Sequence, residues 1–136
     1  PFDVTDREAV AAAIDASVED VEQALAQPRV RLLALSSVQY GSGFRHDLAA
    51  LGRLCRDRGV LFCVDAIQSL GCLPLDVAAC HVDFLAADGH KWLLSVEGCG
   101  IFYCAPAVLD RRAPHQAVRV DGEALATILV NKRCNI

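Results

Sequence analysis

Residues 47–65 read DLAALGRLCRDRGVLFCVD, and this stretch decides the kind of fold. Asp47 is a residue type that caps helix N-termini, and Leu48, Leu51 and Cys55 recur behind it at helical spacing. Arg53, Arg56 and Arg58 take the polar positions, and Gly59 supplies a C-terminal stop. The run that follows, Val60 to Val64, is wholly apolar and ends at a charge, Asp65. Upstream, RVRLLALS (29–36) is apolar in a continuous run, the pattern of a strand covered on both faces. Strand, helix and strand of these lengths predict a βαβ unit in a parallel sheet.

Outward from this unit, Ser17 with Asp20 before VEQALAQ forms a capping-box pattern, as does Thr5 with Glu8 before AVAAAIDA. Two helices are therefore expected ahead of Pro28. On the other side, Val82 to Ala87, interrupted by Asp83, reads as another buried strand. The turn DGHK (88–91) follows, Gly100 to Cys104 reads as a final strand, and Pro106 to Arg112 as a short helix. The expected architecture is α/β, a partial and mainly parallel sheet flanked by helices, filling residues 1–112. Residues 113–136 form a tail with no assignment.

Composition narrows the function. The chain has 136 residues, 54% hydrophobic and 22% charged, a net charge of -4, and a mean hydropathy of +0.32, which describe a core former rather than a disordered chain. Its longest uncharged run, Leu32 to Phe44, has 13 residues, short of the roughly 18 needed to span a bilayer. A pI near 5.5 without a basic face disfavours nucleic acid as a partner. Seven cysteines form no CxxC pair, so no metal site is expected, and an odd count without a secretory signal points to a reducing cytoplasm. Most of these thiols sit in apolar runs, where cysteine acts as a small hydrophobe. The absence of Met and the opening at Pro1 read as an internal fragment of a longer protein.

In open α/β sheets, ligands sit beyond the carboxyl ends of the strands. Asp65 ends one strand, Gln68 lies three residues on, and Lys91 follows another strand through Asp88, Gly89 and His90. Each alone is an ordinary turn or surface residue. A carboxylate and an amine at one sheet edge are together what pyridoxal phosphate chemistry requires: an imine-forming lysine, and an acid that keeps the pyridine nitrogen protonated.

The stretches VDAIQSLGCLPLDV (64–77) and VDFLAADGHKWLL (82–94) resemble the cofactor-binding core of the class V aminotransferases. These are fold type I pyridoxal phosphate enzymes that include cysteine desulfurases and selenocysteine lyases. The resemblance covers about residues 32–106, with SSVQYGSGF (36–44) similar to the family's preceding strand and loop. It implies the central part of a large cofactor-binding domain, and a complete protein that is a homodimer acting on an amino acid. It makes Lys91 the Schiff-base lysine and proton shuttle, Asp65 the partner of the pyridine nitrogen, Gln68 a hydrogen-bond partner of the cofactor phenolate oxygen, and His90 a phosphate contact. Tyr40 falls in a slot that reaches toward cofactor or substrate, where the family often has an amide. Trp92 is read as a packing residue.

Departures accompany the resemblance. Asp88 stands where cysteine desulfurases commonly have Ser or Thr as a phosphate ligand, and an anion there repels phosphate unless it is paired or turned away, which argues against a desulfurase. The loop usually written LLGPxGxG is LLSVEGCG (93–100) here, so a positive φ at Ser95 would be strained. Three alternatives stand beside an active aminotransferase-type enzyme: a catalytically inactive relic of the same fold, a cysteine desulfurase or lyase-type member, and a nucleotide-binding domain. No GxGxxG or GxxxxGK[ST] follows any strand to support the last.

Overall fold

The computed structural model describes residues 10–12, 15–27, 30–108, 119–120 and 123–126. In chain order the elements are β1 (Val10–Ala12), α1 (Val18–Leu25), β2 (Leu32–Ser36), α2 (Leu48–Arg58), β3 (Leu61–Asp65), β4 (Phe84–Asp88), β5 (Gly100–Cys104), β6 (Arg119–Val120) and β7 (Glu123–Ala126). The strands form one sheet in the order β1-β2-β3-β4-β5-β7-β6. β1 to β4 run parallel, while β5 joins β4 antiparallel and continues antiparallel into β7 and β6. The expected mainly parallel α/β sheet is present.

Local signals set both helices. Ser17 accepts from the Asp20 amide at 3.2 Å while the Asp20 carboxylate accepts from the Ser17 amide at 3.0 Å, closing the capping box of α1. These same hydrogen bonds hold the Asp20 carboxyl below its ordinary value. At α2, Asp47 Oδ1 accepts from the Ala50 amide at 2.9 Å, and Gly59 ends the helix in the left-handed conformation at φ 66°. An ion pair at 2.8 Å from Arg58 to Glu22 joins the two helices.

Three expectations change. The helix expected from EAVAAAIDA is replaced over Val10–Ala12 by β1, whose residues pair with Leu32, Leu33 and Ala34. A Val-Ala-Ala run suits either state, and pairing along β2 decides it. The Thr5 and Glu8 capping pair lies outside the described residues, as does Pro28. β5 is not the last strand, because β7 pairs with it through Phe102 and Tyr103. Residues 106–108 form a helical turn, and the rest of the helix expected from Pro106 to Arg112 lies outside the described residues.

The core lies on one face of the sheet. Val21 and Leu25 of α1 and Leu51 and Cys55 of α2 pack on Leu33, Leu35, Phe62, Val64, Leu85 and Ala87. Because side chains alternate along a strand, the intervening residues face the other way. That second face is only partly covered: Leu32, Ala34, Leu61 and Cys63 are half-buried and Ala86 is exposed. A smaller cluster of Cys104, Val108, Leu61, Phe84 and Phe102 packs there. The continuous apolar pattern predicts cover on both faces, whereas among the described residues only one face is fully covered.

Candidate active site

Strand register assembles the site. Ser36 pairs with Asp65, Asp65 with Ala86, and Ala86 with Phe102, so these four form a row across β2 to β5 on the face opposite the helices. Asp88 lies two residues beyond Ala86 on that face, and the turn carrying His90 and Lys91 leaves from it. Asp65 and Ala86 are exposed, giving a shelf near the carboxyl ends of the parallel strands.

Asp65 is fixed by its neighbours. Its Oδ1 accepts from the Ile67 amide at 3.0 Å, and Oδ2 has a long 3.5 Å contact from the Ser36 hydroxyl. Its backbone carbonyl accepts from the Ser37 amide at 2.8 Å and the Ser37 hydroxyl at 3.2 Å. Ser37 Oγ lies 2.6 Å from Ser69 Oγ, both residues being buried. The chain before and after Asp65 is therefore clamped to the end of β2. Gln68 is half-buried beside this clamp, and among the described residues its side-chain amide has no hydrogen-bond partner.

Across the shelf, Asp88 is occupied on both oxygens. Oδ1 accepts from the Gly89 amide at 2.8 Å, and Oδ2 lies 3.2 Å from His90 Nδ1. The anion that stands out in the sequence is thus paired, and it leaves His90 Nε2 for another partner. Gly89 permits the fold of this turn: a Cβ there would lie 2.8 Å from both the Cys99 carbonyl oxygen and Ser95 Cβ. The positive φ in the following loop falls at Leu94 (53°) and Gly98 (80°), not at Ser95, so the strain expected at Ser95 is carried one residue earlier.

Tyr40 and Lys91 meet. Lys91 Nζ sits 5.1 Å from the centroid of the Tyr40 ring. Trp92 is 54% exposed, correcting its reading as a packing residue; the next residue, Leu93, packs on the core instead. The Trp92 carbonyl approaches Gly71, where a Cβ would lie 2.6 Å from that oxygen and φ is 99°. A glycine is required there to bring the Lys91 loop against the segment that follows Asp65.

Sequence reasoning missed three supports. His46 is buried, with Nδ1 donating to the Ser36 carbonyl at 2.8 Å and its backbone amide donating to Ser37 at 3.1 Å. Asp83 Oδ2 accepts from the Phe62 amide at 2.8 Å, stitching β3 to the entry of β4. The Ser37 and Ser69 pair lies behind Asp65. Residues this far apart in sequence leave no local signature. A cleft of about 400 Å³, lined in part by Ser37, His46, Ser69, Leu73, Leu75 and Asp76, is lined by none of Tyr40, Asp65, Gln68, His90 and Lys91. The chemically equipped shelf is open rather than concave.

Burial sets the thiols apart from this chemistry. Cys55 is pushed up to about 12 by desolvation, helped by the Asp83 charge and opposed by Arg58. Cys63, Cys80 and Cys104 are raised, again chiefly by desolvation. A thiol so placed is a poor nucleophile.

Acid, amide, imidazole and amine thus stand close to adjoining strand ends of an α/β sheet. A family profile described as "Aminotransferase class-V" matches residues 9–132, and the chain belongs to that family. A cysteine desulfurase IscS of Shewanella amazonensis is 41% identical over 86 residues, 63% of this chain and 21% of that protein. One from Shewanella baltica is 38% identical over 102 residues, 75% and 24% respectively. Among solved structures, the apo cysteine desulfurase from Thermococcus onnurineus NA1 matches with a TM-score of 0.63 at 30% identity, covering 81% of this chain and 29% of that one. An alanine–glyoxylate aminotransferase from Nostoc sp. matches with a TM-score of 0.65 at 31% identity, covering 76% and 28%. The chain thus spans about a quarter or less of the curated relatives' length. The family match is longer than residues 32–106, where the motifs lie, and it includes β6 and β7.

Proposed function

We propose that this chain carries the lysine-bearing core of a class V pyridoxal phosphate enzyme that acts, in its complete form, on an amino acid. The observation that carries the reading is the Ser36, Asp65, Ala86 row, which sets an exposed carboxylate on an open shelf beside the turn bearing Lys91. The donor set suits the cofactor. Asp65 offers an anion for a cationic ring nitrogen, Gln68 an uncommitted amide, His90 an available Nε2 for phosphate, and Lys91 the amine for a Schiff base. Pyridoxal phosphate would supply an electron sink for bond labilisation at the substrate α-carbon. The chain's own residues would hold it: Asp65 rigidly, through the Ser37 clamp, and His90 in the orientation that Asp88 imposes.

In this reading residues 1–112 are part of a large cofactor-binding domain, the complete protein is a cytoplasmic homodimer, and Lys91 moves the proton as general acid and base. Borohydride reduction of the chain with pyridoxal phosphate, followed by peptide mapping, tests it. Label on Lys91 is expected; label confined to Lys132, the other lysine, overturns the assignment. A second reading, cysteine desulfuration, is favoured by the names of the relatives. The pairing of Asp88 with His90 lessens the objection that its charge raises. Sulfide release from cysteine by the complete protein, against transfer of an amino group to glyoxylate, separates the two.

A further inference from the structure

The connection between β2 and α2 is a built loop. Val38 bridges Arg45, the Gln39 amide donates to the Phe44 carbonyl at 2.9 Å, and the Gly43 amide donates back to Gln39 at 2.9 Å. Gly43 takes the φ of 72° that closes the turn, and buried His46 pins its base to Ser36 and Ser37. Tyr40 stands at the tip, 84% exposed, yet its ring faces Lys91 Nζ at 5.1 Å. The other polar side chains on the lysine turn, Asp88 and His90, contact each other, and among the described residues Lys91 forms no ion pair. The aromatic face is what the ammonium meets.

We infer that Tyr40 is a positioning residue that parks Lys91 as an ammonium and restrains its nucleophilicity until the ring is displaced. An aromatic face attracts a cation through its quadrupole and offers no comparable attraction to a neutral amine. The ammonium nitrogen has no lone pair with which to attack a carbonyl, so the contact protects the lysine from adventitious aldehydes while the ring lies against it. The inference rests on Lys91 being the functional amine.

Brief reductive methylation of the full chain with formaldehyde and dimethylamine-borane, read at Lys91 by peptide mass spectrometry and normalised to the unfolded chain, reports the parked state without any cofactor. Tyr40→Leu keeps bulk but removes the aromatic face, Tyr40→Asn removes both, and Tyr40→Phe keeps the face without the hydroxyl. Lys91 in Tyr40→Leu and Tyr40→Asn should label about two- to five-fold faster than in the parent, the range an exposed cation–π contact supports. Tyr40→Phe should match the parent. A parent-like rate in Tyr40→Leu, or a fast rate in Tyr40→Phe, overturns the inference. Failure of pyridoxal phosphate to bind Lys91 in the separate reduction experiment would instead overturn the cofactor reading, leaving the methylation result to stand or fall by itself.

Discussion

At the scale of single residues, Asp65 and Cys55 show how placement decides chemistry. Asp65 ends its strand exposed, with its backbone clamped by Ser37 and one carboxylate oxygen held by the Ile67 amide. A group fixed before reaction stabilises charge without reorganising. In the complete holoenzyme, Asp65→Asn should lower turnover at least about 10²–10³-fold, the scale of removing one preorganised charge-stabilising group. Schiff-base absorbance should survive, because the amine is untouched, and near-normal turnover would show that the carboxylate has been misassigned. Cys55 is the opposite case, buried under α2 with its thiol pushed up to about 12. An unfolded chain's thiol ionises near 9.0, so as pH rises the unfolded state releases its proton first. This group's contribution to stability is intact below pH 9 and is lost as pH rises toward 12. Urea midpoints measured across that window should therefore fall, and less steeply in Cys55→Ala. In the native chain a disulfide reagent should modify exposed Cys72 well before Cys55, an order that equal rates would contradict.

Between elements, close approaches govern the fold more than the residues' own preferences. Gly52 in α2 lies against the Cys80 carbonyl, where an added Cβ would sit 1.8 Å from the oxygen. Gly52→Ala must push the helix off the segment before β4 and should destabilise by about 1–3 kcal/mol or more, as overpacking does. Gly41→Ala, with nothing within 4 Å, is the control, and denaturant melts compare the two. Such contacts explain what the sequence discloses. α2 and β3 are legible because Asp47 and Gly59 are local start and stop signals and the apolar run behind them needs no partner to be recognised. β1 is not legible, because Val10–Ala12 becomes a strand only by pairing with Leu32–Ala34. The antiparallel direction of β5 comes from the route of the connecting loop, which composition does not encode. Within the site, Asp65 and Lys91 stand out as polar residues at the ends of apolar runs. The His46 hydrogen bond and the Ser37 and Ser69 pair join separate segments and have no sequence pattern. Tyr40 is visible as a loop aromatic, but its apposition to Lys91 follows from tertiary placement.

For the whole molecule, the asymmetry of the sheet has consequences for the chain as a reagent. One face is sealed by α1 and α2, while the face bearing Asp65 also presents Leu32, Ala34, Leu61 and Phe84, only half-buried. Beside it, Trp92, Leu94 and Val96 are 54%, 89% and 74% exposed. An apolar surface of this kind associates in water. The isolated 136-residue chain is therefore expected to sediment as a concentration-dependent oligomer or aggregate rather than a monomer. The same openness limits chemistry. A catalytic constellation needs its charge-stabilising groups enclosed and supported, and in the proposed reading the shelf with Asp65, Gln68, His90 and Lys91 would supply only part of one. The matched stretches make up 21% and 24% of two of the curated relatives, so most of their length lies outside the match. Mixed with pyridoxal phosphate, the chain should give weak lysine-type absorbance, removed by Lys91→Ala, and no turnover of cysteine or of any amino donor. Sulfide release, or amino transfer to glyoxylate, by a monomeric preparation would show that the shelf is a sufficient site and that the open face needs no cover.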